Sequence, residues 1–172
     1  AADGYARLKG IGAVCVTYGV GGLKVINTTA EAYAEKSPVV VISGGPALWE
    51  RRRDPLLHHK IRTFESQLEI FREVTTAAAI ITDPQTAQRE IDRVLHACMT
   101  HKRPVYLELP RDLVTAPIEV SDRHPEDAAS DPHALEEALA QVKAMVAAAR
   151  QPAILLGEEL VRFGVHDRIP AL

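Results

Sequence analysis

The sequence predicts an α/β fold, a three-layer sandwich with a mostly parallel sheet, followed by the start of a second α/β domain. Three observations lead there. Short β-branched runs bounded by Gly or Pro alternate with longer Ala-rich stretches of helical spacing. The run Pro38 to Ser43 is almost continuously apolar, as expected of a parallel strand covered on both faces. Between Thr115 and Pro132 the apolar periodicity lapses into Pro, Asp and Ser, which marks a linker before a fresh helix.

Taken in order, the first strand is read as Ala13 to Thr17, followed by Gly19, Gly21 and Gly22 and a helix from about Leu23 to Glu35. The second strand, Pro38 to Ser43, stops at Gly44-Gly45-Pro46. Trp49 to Ile61 is polar and irregular, a loop or a short broken helix, in which Arg51-Arg52-Arg53 reads as solvated, with phosphate or carboxylate contact as the alternative. Ala77 to Thr82 is a short strand. Asp83 then caps a helix, with Pro84 at its first position and Ala87, Ile91, Val94, Leu95 and Cys98 on one face. Val105 to Leu109 is a strand stopped by Pro110. Asp131-Pro132 opens a second capped helix to about Arg150, and Pro152 to Gly157 reads as a further strand. Tyr5, Tyr33 and Phe71 fall at core spacings.

A net charge of -3 gives no basic face for nucleic acid, and no apolar stretch approaches the ~20 residues that span a bilayer. Cys15 and Cys98 sit in apolar runs without metal-ligand spacing and read as buried free thiols of a reducing compartment. The chain opens on Ala1-Ala2-Asp3-Gly4, with neither Met nor a signal-peptide pattern. The expectation is therefore a cytoplasmic protein whose natural start lies upstream.

Ligands of parallel sheets bind beyond the carboxyl ends of the strands, which directs attention to the segments after Thr17, Ser43 and Leu109. Thr17-Tyr18-Gly19-Val20-Gly21-Gly22 follows a strand and opens a helix; it suits a ligand cradle or a plain tight turn. His58-His59 offers imidazoles that titrate near neutral pH and can pass protons, although a structural or solvated role is equally open. No Cys, Asp or Glu stands at ligand spacing to complete a metal site around them.

Several segments together resemble one family, the pyruvate and indolepyruvate decarboxylase branch of thiamine diphosphate enzymes. They are Ala1 to Arg7 (AADGYAR), Thr17 to Gly21 (TYGVG), Asn27 with Ala32-Tyr33-Ala34-Glu35, Gly44-Gly45-Pro46, Leu56-Leu57-His58-His59, and Arg103 to Pro110 (RPVYLELP). Their order and spacing make the set specific.

The resemblance implies a pyrimidine-binding domain at residues 1–120, truncated at its N-terminus, a linker at 121–130, and an incomplete central domain at 131–172. It implies conversion of a 2-oxo acid to an aldehyde and carbon dioxide, with thiamine diphosphate as cofactor and Mg²⁺ held by a C-terminal domain outside this chain. The cofactor would lie between subunits, hence a homo-oligomer, dimer or tetramer, without nucleic acid or membrane partners. Thr17, Gly19 and Val20 would border the pyrimidine, and His58 and His59 would be the catalytic pair, with His59 facing substrate.

The family's activating glutamate falls before Ala1, so the resemblance also implies that this chain alone is inactive. Lys60-Ile61-Arg62 departs from the family's Thr-Leu-Gly; the charges either face solvent or favour a more anionic acid. An acetolactate synthase-like carboligase shares the first and last segments but not the histidine pair. A noncatalytic, partner-binding fragment is the remaining alternative.

Overall fold

A computed structural model describes residues 1–122 and 129–171. Four parallel strands form one sheet: β1 (Gly12–Val16), β2 (Val39–Gly45), β3 (Ala77–Ile80) and β4 (Val105–Pro110), in the spatial order β1-β2-β4-β3. Helical crossovers join each strand to the next, and the expected α/β class is what the chain adopts. Helices cover both faces, which is why β2 and β4 read as largely apolar runs.

Alternation along the central strands divides the core. Val40, Val105 and Leu107 pack with Ala87, Val94 and Cys98 of α6 (Pro84–His101) on one side. Val39, Val41 and Tyr106 pack on the other side with Ala6 of α1 (Ala2–Lys9), Ala32 of α3 (Ile26–Ala34), and Leu68 and Phe71 of α5 (Ser66–Val74). Phe71 stacks on Tyr106, with ring centroids 4.2 Å apart and planes 13° from parallel. The Asp83 carboxylate accepts the Gln85 N–H at 3.0 Å, so the cap expected at the start of α6 is formed.

Several expectations are corrected. The helix expected from Leu23 to Glu35 is two pieces, α2 (Val20–Leu23) and α3, so the first turn starts earlier and the axis breaks at Lys24-Val25. Of the segment read as a loop or a short broken helix, only the first part is helical: α4 (Leu48–Arg53) is set by the Glu50 carboxylate, which accepts the Ala47 N–H at 2.8 Å, and by Asp112, which accepts the Leu48 N–H. Cys98 is fully buried, but Cys15 is exposed, because β1 is the edge strand and its odd-numbered residues face outward without a covering helix. Tyr5 is also outward, at 59% exposure.

Beyond β4 the chain loses regular structure. Residues 123–128 of the expected linker lie outside the described residues. α7 (Pro132–Ala148) follows, with the Asp131 carboxylate accepting the His133 N–H at 2.9 Å. Pro152 to Gly157 forms no strand, since no described strand lies beside it to complete a ladder. A four-residue helix, α8 (Glu159–Arg162), and a 3₁₀ turn (His166–Ala171) end the described chain. No described helix is long and apolar enough to cross a membrane.

Candidate functional site

The strand carboxyl ends of β1, β2 and β4 open into a cleft of about 260 Å³ lined by Tyr18, Gly19, Pro46, His59, Phe64 and Gln67, among others. Topology puts it there: β1 to β2 and β2 to β3 step the same way across the sheet with α3 and α5 on one face, while β3 to β4 steps back with α6 on the other, so the connections leaving β2 and β3 part on either side of β4. A larger hollow of about 840 Å³ lies beside α1 and α3, but Asp3 in its wall is already paired with Arg7 at 3.0 Å.

The glycine turn and the histidine loop meet backbone to backbone. Gly19 has φ +65°, and a methyl group built on it would come within 1.8 Å of the His59 carbonyl oxygen. Only glycine allows that approach. The Tyr18 hydroxyl donates to the His58 carbonyl at 2.9 Å, a second tie between the same segments. His59 itself has φ +71°, a conformation rare for a non-glycine residue and concentrated where function imposes it.

These ties fix the imidazoles. The His58 and His59 rings stand edge to face with centroids 4.1 Å apart, and the Tyr18 ring lies 6.0 Å from that of His59. His58 points to solvent while His59 is half buried in the cleft wall. The Nδ1 atom of His59 is buried with no hydrogen-bond partner among the described residues. A buried unpaired ring nitrogen is costly unless a ligand, substrate or water satisfies it.

Of the residues picked out by sequence, Gly19 and His59 share the cleft, and His58 stands against His59 from outside. Thr17, at the end of β1, and Val20, half exposed at the start of α2, flank the turn without lining the cleft. Lys60 and Arg62 divide. The Lys60 ammonium bonds the Asp54 carboxylate at 2.6 Å and lies 4.6 Å from the centre of the Phe64 ring, so its charge is engaged within the loop; Arg62 is exposed.

Sequence reasoning missed the polar floor of the cleft. Arg51, read as solvated with its two neighbours, turns inward and pairs with Glu108, which is 1% exposed. The Tyr106 hydroxyl donates to the other Glu108 oxygen at 2.6 Å and accepts from Gln67 Nε2 at 2.7 Å. Burial pushes the Tyr106 phenol up to about 12, so it remains a donor. One signal was available: a glutamate inside an otherwise apolar β4 run needs a buried cation, and the arginine triplet supplies one.

Two predictions follow from these positions. Burial raises Tyr106 and Cys98 each to about 12, above their ordinary values of 10.0 and 9.0. In both cases the folded state holds the proton more tightly, so their stabilisation is complete below pH 9 and drains away as the pH rises toward 12. Urea midpoints between pH 8 and 11 should fall, and a flat profile would contradict the burial. Separately, Gly19→Ala should cost about 1–2 kcal/mol through the left-handed backbone and more through the clash with the His59 carbonyl, which must displace the histidine loop. Trypsin should then cut faster after Lys60 or Arg62; an unchanged cleavage pattern would mean that the contact is slack.

Comparison with known proteins finds one family. Residues 1–70 match the family described as thiamine pyrophosphate enzyme, N-terminal TPP binding domain. The chain is 42% identical over 173 residues to indole-3-pyruvate decarboxylase of Azospirillum brasilense, covering 100% of this chain and 32% of that protein. It is 39% identical to pyruvate decarboxylase of Aspergillus parasiticus, over 98% of this chain and 30% of the relative. An alpha-keto-acid decarboxylase of Mycobacterium bovis is 48% identical over 121 residues, which is 69% of this chain and 21% of that protein. The chain thus spans about a third or less of the length of these relatives.

Proposed function

Because the chain belongs to the thiamine pyrophosphate enzymes, we propose that it contributes the pyrimidine-facing side of a 2-oxo acid decarboxylase site, at which a 2-oxo acid and a proton give an aldehyde and carbon dioxide. The observation that carries this reading is the unpartnered Nδ1 of His59, held in a cleft wall against the glycine turn. A close-approach glycine turn beside a half-buried imidazole fits a planar, hydrogen-bonding ring edge, and the residues present are compatible with thiamine diphosphate. When bound, that cofactor supplies the electron sink for loss of the carboxylate.

The chain's own groups then have distinct tasks. Thr17, Gly19 and Val20 border the pyrimidine, with the Gly19 backbone giving the closest approach. His59 holds or passes a proton at the oxygen of the reacting carbonyl, and His58 stands behind it as a second proton carrier in contact with solvent. Lys60 holds the loop through Asp54, which leaves Arg62 to meet solvent and argues against selection of a doubly anionic acid by Lys60. The Mg²⁺ and the diphosphate group fall to residues outside this chain. The exposed loop around Leu56, which is 98% exposed, would be covered by a second subunit, giving a homo-oligomer.

The test uses the full-length gene product with thiamine diphosphate, Mg²⁺ and a panel of pyruvate, phenylpyruvate and indolepyruvate. Release of carbon dioxide and the matching aldehyde in equal amounts is expected. Release of carbon dioxide with only carboligated products would replace this reading by a synthase, and no turnover of any 2-oxo acid would refute it.

A further inference from the structure

The strand ends around the cleft are joined through one side-chain amide. Gln67, on α5, is 4% exposed and its amide makes three of the four hydrogen bonds it can form, with both donors engaged. Its Oε1 accepts the Gly19 N–H, while its Nε2 donates to the Ser43 hydroxyl at 2.8 Å and to the Tyr106 hydroxyl at 2.7 Å. Those three partners lie on the β1 turn, on β2 and on β4.

The Gly19 N–H can only donate, which fixes the amide oxygen of Gln67 toward it and its Nε2 toward the two hydroxyls. Tyr106 gives its proton to Glu108 and Ser43 gives its own to the Gly44 carbonyl, so both oxygens face Gln67 as acceptors. The amide therefore cannot flip, and its oxygen must point at Gly19. A methyl group built on Gly22 would fall 2.5 Å from Gln67 Nε2, so the turn is closed over the amide with no slack. Gly19 in turn abuts the His59 carbonyl, and Tyr18 holds the carbonyl of His58.

We propose that Gln67 is a positioning residue for His59: through Gly19 it sets where the histidine loop stands over the cleft. The inference rests on the reading of His59 as the substrate-facing imidazole. Gln67 lines the cleft floor but needs no contact with the reacting atoms, since its polar atoms are engaged within the protein.

The experiment is a double-mutant cycle in the full-length protein at saturating thiamine diphosphate. Gln67→Met keeps the length of the side chain and removes all three hydrogen bonds. It should lower kcat about 10- to 100-fold, the scale of a misplacement of about 1 Å. In the His59→Ala background the same change should cost less than about threefold, because the group it positions is gone. Full losses that multiply would overturn the proposal and leave Gln67 a merely structural residue.

If Gln67→Met does not fold, Tyr106→Phe removes one of the two acceptors and should show a smaller loss with the same suppression by His59→Ala; undiminished loss in that background overturns it equally. Should the protein turn over no 2-oxo acid, the functional reading falls on its own. The positioning claim is then decided by the ¹⁵N signals of the His59 imidazole, assigned through His59→Ala. A shift in Gln67→Met supports it, and unchanged signals overturn it.

Discussion

Alanine in place of His59 is expected to slow aldehyde formation by the full-length protein about 10²- to 10⁴-fold, the usual range for a positioned acid or base. The affinity for thiamine diphosphate should change little, because Gly19 presents backbone to the cleft and its contact with residue 59 is to a carbonyl that alanine retains. His58→Ala should do less. The bond from Tyr18 is to the His58 backbone, so the loop keeps that anchor, and only the outer ring of the edge-to-face pair is lost. Steady-state kinetics with a cofactor titration on each variant measure both effects. Normal turnover in His59→Ala would remove the catalytic assignment, whereas lost affinity with normal turnover at saturation would move His59 to the binding role.

The second large effect is on stability. Glu108→Ala should cost about 3–5 kcal/mol, the usual result of removing one member of a buried pair. Arg51 would be left with a side chain only 10% exposed, an Nε without a partner, and the Phe64 carbonyl at 3.2 Å as its nearest remaining acceptor. Glu65, at 3.8 Å, is on the solvent side and compensates weakly. The companion double variant, Arg51→Met with Glu108→Leu, should regain most of the loss, since an apolar pair can replace a buried ion pair at similar volume. Urea denaturation with unchanged m-values gives the comparison. A loss below about 1 kcal/mol for Glu108→Ala would show that the pair is open to water.

The sheet and the site were legible to different degrees. Strands β2 and β4 and helix α6 were readable because a doubly covered parallel strand is mostly apolar and because Asp83-Pro84 is a local start signal. α4 was not, because its stop and start lie in tertiary contacts: Asp112, remote in sequence, accepts the Leu48 N–H, and Arg51 pairs with Glu108. For the same reason Gln67 passed unnoticed. One glutamine in SQLEIFREV has nothing local to separate it from the solvated Glu69 or Arg72 beside it. The expected strand at Pro152 to Gly157 failed in the opposite sense: β-branched composition proposes a strand, but a strand needs neighbours, and composition does not supply them.

The contact between Gly19 and the His59 carbonyl also limits how such a site can be redesigned. Because main chain meets main chain, a side chain of the loop that points to solvent, as that of Arg62 does, is free to vary without moving the imidazole. The path of the loop has no such freedom. A longer or shorter loop grafted between Asp54 and Phe64 would have to return its carbonyl to the same point above the turn, or else part from it. Attempts to change substrate preference here should therefore exchange residues at constant length, and libraries that insert or delete in this stretch should yield mostly inactive clones.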